Sequence, residues 1–156
     1  MNRTTMREQT FKLIYSLGVQ KQENIEEAIE LFLESNEITE QNAIYYIKTT
    51  VLGVKENEKI ILEQISKNLK SDWKIERISK VDLAILKLAI YELKYTEIPF
   101  KVVINEAVEL AKKYGEETSK NFVNGILASV VAEKWSYTKY CIERNELAIW
   151  NMQIWQ

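Results

Sequence analysis

The sequence predicts an all-α protein, and three features carry that prediction. Glycine and proline are scarce, four and one among 156 residues, too few for the many tight turns of an all-β chain. Apolar residues recur every three or four positions in one segment after another. The segments begin or end at residues suited to helix termini, among them Thr39, Ser79, Gly115 and the pair Thr118-Ser119.

The first helix is expected from Thr4 to about Gly18, with Met6, Thr10, Leu13, Ile14 and Leu17 on one stripe. A second flank at four-residue spacing carries Arg3, Arg7, Phe11 and Tyr15. A short acidic helix follows from Asn24 to about Leu33. Thr39 suits the N-cap of a third, whose middle or end is weakened by Thr49-Thr50 and Gly53. A fourth is expected over roughly 55–69, ending before the break at Ser71 and Asp72.

The stretch SKVDLAILKLAIYEL is apolar on nearly every side, interrupted by Lys87 and Glu92. Such a helix belongs at the centre of the fold. Ser79 and Asp82 stand at the spacing of a capping box. Pro99 suits the first turn of the next helix, and Gly115 ends it beside Lys112 and Lys113. Asn105 and Glu106 interrupt its apolar face and read as structural polar groups with partners on neighbouring helices. The last helix of the domain starts at Thr118 or Ser119 and runs to about Trp135. Asn121, Asn124, Gly125 and Ala128 give it a narrow polar and small strip suited to close approach by another helix.

Composition excludes several kinds of chemistry. With no histidine and a single cysteine, the usual zinc sites and the Ser-His and Cys-His nucleophile pairs are out. There is no Gly-rich phosphate loop, so neither an enzyme, a metal site nor a cofactor is expected. No apolar run reaches the roughly 18–20 residues that span a bilayer, and a lone Cys141 suits a reducing cytoplasm. Charge is uneven. Residues 1–22 hold four basic residues against one acidic, whereas 23–40 hold seven glutamates and no basic residue. A basic arm beside an acidic helix suits a nucleic-acid edge, or else two solvated faces.

Three stretches, MREQTFKLIYSL, then VDLAILKLAIYEL with IPFKVVINEAVELAKKYG, then SKNFVNGIL, resemble hallmark segments of the NusB family of bacterial transcription antitermination factors. They occur in the family's order and spacing, over residues 1–135. The chain is too short to hold the methyltransferase to which such domains are sometimes fused. The resemblance implies a helical bundle of two packed sub-bundles that binds RNA without catalysis. It implies pairing with NusE, a small-subunit ribosomal protein, and recognition of a boxA-type single-stranded element in nascent ribosomal RNA. Other Nus factors and RNA polymerase would complete the antitermination complex.

Carried onto this sequence, the RNA-binding positions are Arg3, Arg7 and Tyr15 on the first helix and Thr118, Lys120 and Phe122 on the last. Asn2, Thr4 and Thr5 stand where relatives often have Lys or Arg, so the chain alone should bind RNA weakly. Thr118 stands where relatives have an acid, and its hydroxyl suits an N-cap better than the family's base contact. Phe11 reads as core-edge packing, while Tyr15 suits either packing or stacking. Arg7→Ala is expected to weaken RNA binding and leave the fold intact. The partner-binding candidates are Asp82 and Lys87, with Glu92 a weaker one. Residues 136–156 lie past the resemblance. Tyr140, Leu147 and Ile154 suggest a further amphipathic helix there, able to dock on the domain or to favour a homodimer.

Overall fold

The computed structural model describes residues 1–20 and 23–142, with side chains described as far as Glu133. Among the described residues there are seven α-helices and no strand. Helix α1 spans Arg3–Val19, where Asn2 accepts a hydrogen bond from the Thr5 N–H at 2.8 Å. Helix α2 spans Ile25–Ser35, capped the same way by Asn24 on Glu27 at 3.2 Å. Its first-turn acids Glu26 and Glu27 suit the positive end of the helix dipole. The helix closes with the Ile38 N–H on the Leu33 carbonyl, and Glu37 turns the chain at φ 52°.

Helix α3, Gln41–Glu56, starts one residue later than a Thr39 cap requires. Glu40 precedes it and no side chain caps it. The Glu40 carboxylate instead accepts from the N-terminal ammonium of Met1 at 2.6 Å. Asn57 alone separates α3 from α4, Glu58–Lys67. Gly53 lies where the Tyr91 ring packs: a Cβ there would stand 2.5 Å from ring atoms.

A connection containing one 3₁₀ turn, Ile75–Arg77, leads to α5, Lys80–Tyr95. Ser79 Oγ accepts from the Asp82 N–H at 3.1 Å, so one half of the expected capping box forms. Helix α5 is the axis of the fold, packing against α1, α3, α4, α6 and α7. Ile85, Leu86, Leu88 and Ile90 are fully buried in a core that also takes Ile47, Ile61, Ile65 and Leu127. Burying one such side chain stabilises by about 1.5–3 kcal/mol.

Helix α6, Phe100–Tyr114, starts just after Pro99, and Gly115 accepts the chain's exit with ordinary negative φ. Helix α7, Ser119–Ile142, is longer than its apolar pattern predicts, passing Trp135 without a break. Beyond Ile142, the remainder of the expected amphipathic extension lies outside the described residues. The polar strip of α7 also differs from expectation. Asn121, Asn124, Gly125 and Ala128 face solvent, and nothing lies within 4 Å of a Cβ built on Gly125.

Candidate nucleic-acid interface

The arginine flank of α1 divides in the structure. Arg3 and Tyr15 lie at the surface, Tyr15 being 38% exposed. Arg7 does not. It is 3% exposed, and its Nε donates to both carboxylate oxygens of Glu92, at 2.9 and 3.1 Å. Glu106, which also accepts from the Thr4 hydroxyl, approaches the same guanidinium at 3.8 Å. Arg7 is therefore a core ion pair between α1 and α5 and has no face to offer a phosphate. Burial opposes its charge, but Glu92 overcomes that, and the Arg7 pKa is raised. Burial likewise raises the Glu92 carboxyl against the pull of Arg7. Glu92 is thus an internal counter-charge rather than a partner contact.

Phe11 is buried against Tyr114, their ring centroids 5.1 Å apart, as core packing requires. Beside it Glu8 accepts from Lys113 at 2.8 Å and from the Tyr114 hydroxyl. The Lys113 and then the Tyr114 hydrogen bond hold the Glu8 carboxyl below its ordinary value. Of the two α6 residues expected to be structural, Glu106 is half-buried and bonded to α1, whereas Asn105 is exposed.

These contacts tie α1 to the last turn of α6, four residues before the second candidate edge. There, Thr118 and Lys120 are exposed and Phe122 is half-buried. The Thr118 carbonyl receives the Phe122 N–H, so α7 opens at this point and its first-turn N–H groups favour an anion. Ser119 is buried and uses its hydroxyl to accept from the Glu116 N–H at 2.9 Å, fixing the turn after Gly115.

Asp82 lines the same groove as Thr118 and Phe122, a space of about 430 Å³ that also touches Arg77 and Glu116. Its Oδ1 is buried and accepts no hydrogen bond. Lys87 lies elsewhere, 13% exposed and paired with Glu58 at 3.2 Å. That pair takes Lys87 from the free surface a partner would meet. The Trp73 ring packs at 6.5 Å from Phe122. No motif marks Trp73 in the sequence; the only signal is that Lys70, Lys74 and Arg77 flank it, basic residues around an aromatic one, as single-stranded nucleic acid favours.

The sequence profile of the NusB family matches residues 4–132. The chain belongs to the NusB family. The transcription antitermination protein NusB of Clostridium botulinum (strain Kyoto / Type A2) is 46% identical over 145 residues, a match covering 84% of this chain and 100% of that protein. Among solved structures, T. maritima NusB superposes with a TM-score of 0.78 at 37% identity, covering 85% of this chain and 92% of that one. A chain of the crystal structure of antitermination factors NusB and NusE in complex with dsRNA superposes with a TM-score of 0.74 at 27% identity, covering 82% and 94%. Residues 133–156 lie past the NusB match.

Proposed function

We infer that this chain is a non-catalytic, RNA-binding transcription antitermination factor that works with NusE. Its RNA is a boxA-type single-stranded element in nascent ribosomal RNA, met in the cytoplasm, and its wider assembly includes other Nus factors and RNA polymerase. Family membership over 4–132 carries this reading, supported by relatives named as antitermination proteins. The exposed Arg3, Tyr15, Thr118 and Lys120, with half-buried Phe122, supply the groups such an RNA needs: cations for phosphate and aromatic faces for unpaired bases. Asp82, which lines the groove beside Arg77 and Thr118, is the anionic candidate for a basic partner.

Titrating a fluorescent boxA-type RNA with the protein, with and without NusE, over a range of salt concentrations tests the reading. The pair should bind more tightly than either protein alone, and affinity should fall steeply with salt. The burial of Arg7 and a sequence pI of about 5.4 favour a second reading, a helical protein-interaction module with no RNA role. Salt-insensitive binding no tighter with NusE than without it would select that module.

A further inference from the structure

We propose that the groove between the α4–α5 connection and the exposed face of α7 is a second base-binding site for single-stranded RNA, with Trp73 as its stacking platform. This rests on the RNA-binding reading above and extends it to residues that reading does not include.

Trp73 is 43% exposed although it is among the largest apolar side chains in the protein. The Trp73 backbone N–H donates to the Lys70 carbonyl at 2.8 Å, so the residue sits on a hydrogen-bonded turn. Its ring lies beside that of Phe122, the centroids 6.5 Å apart and the planes tilted by 45°. Grooves open on both sides of that ring pair, and their linings differ in charge. The smaller includes Asp82 and Glu116, which oppose a phosphate. The larger, about 570 Å³, has no carboxylate among its described lining residues. It offers Lys70, Asn121 and Ser129 around the faces of Trp73 and Phe122, with Gly125 as its floor.

Each group has a use for a nucleotide. The indole supplies a stacking face, which every base can use. Lys70 is exposed and has no ion-pair partner among the described residues, so its ammonium is available to a phosphate. The exposed Asn121 amide can donate and accept at a base edge. Gly125 leaves open space where any side chain would fill the groove. Arg77 is exposed and lines the smaller groove on the other side of the same ring pair. Charge complementarity and continuity with the Thr118–Phe122 edge thus favour an RNA base over an apolar peptide as the occupant.

The test uses the full chain with NusE and a 12-nucleotide boxA-type RNA carrying 2-aminopurine at successive positions. One position should be quenched on binding. Trp73→Ala should abolish that quenching and weaken binding between about 5- and 150-fold, with the salt slope unchanged because no charge is lost. Trp73→Phe should keep both signals in large part, and Lys70→Ala should flatten the slope by about one phosphate. Should Trp73→Ala lose its fold by circular dichroism, the Trp73→Phe and Lys70→Ala variants still decide. Quenching and affinity untouched by Trp73→Ala or Lys70→Ala, while Lys120→Ala weakens binding, would overturn the second site and leave the RNA reading standing. Absence of salt-dependent binding by the unaltered pair removes both. Loss of NusE affinity in place of RNA affinity would assign the groove to a protein partner and end the proposal.

Discussion

Arg7 lies on the flank of α1 that also carries Arg3, Phe11 and Tyr15, yet its guanidinium is buried against Glu92, 85 residues away in sequence. Helical spacing gives the direction of that flank. It does not say how deeply each position is covered by α5, and so an arginine suited to phosphate proved to be an internal ion pair. The consequence reverses the expected mutant. Arg7→Ala leaves a buried carboxylate without its counter-charge, a loss of about 3–5 kcal/mol. Urea denaturation should show that loss, while RNA affinity per folded molecule and its salt slope stay as before. The double variant Arg7→Met with Glu92→Leu should recover much of the stability. A fully stable Arg7→Ala protein with weakened RNA binding would return Arg7 to the surface site.

At the scale of single helices the sequence is more informative where local chemistry decides and less where distant packing does. Ser79 caps α5 as its spacing suggests, and the nearly all-round apolar pattern places α5 at the centre. Gly53 reads locally as a weak point of α3, but its place in the fold is set by the Tyr91 ring lying over it from α5. The end of α2 has no sequence signal of the usual kind, because Glu37 occupies the left-handed position where glycine is favoured. An L residue with a side chain costs about 1 kcal/mol there. Glu37→Gly should therefore raise stability by up to about 1 kcal/mol in a thermal melt. A lower melting temperature would mean that the Glu37 side chain contributes more than its backbone strain costs.

For the molecule as a whole, the joint that matters is the clasp of α1 on α5 and α6, made by Thr4, Arg7 and Glu8. The family hallmark segments were legible because they form this joint and the α7 start. The grooves were not, since they arise only when the 68–79 connection meets α7. The Glu8 end of the clasp is acid-sensitive. Its carboxyl is held below the ordinary 4.5 by Lys113 and Tyr114, so the unfolded chain takes up the proton first as pH falls. Its stabilisation is complete above about pH 4.5 and fades below it, through the lower folded value. The gap in melting temperature between the unaltered protein and Glu8→Gln should hold from pH 7 to 5 and close toward pH 3. A gap that persists at pH 3 would mean the Glu8 contacts do not depend on its charge.

The unbroken course of α7 has a further use. It carries the chain's single cysteine, Cys141, on the same helix as the Ser119 edge, about 33 Å along the axis from that residue. A dye coupled to Cys141, its labelling stoichiometry measured first, serves as the donor. Energy transfer from it to a fluorophore on either terminus of a bound oligonucleotide would give the polarity of the strand across the protein, because the helix is a built-in ruler with one graduation.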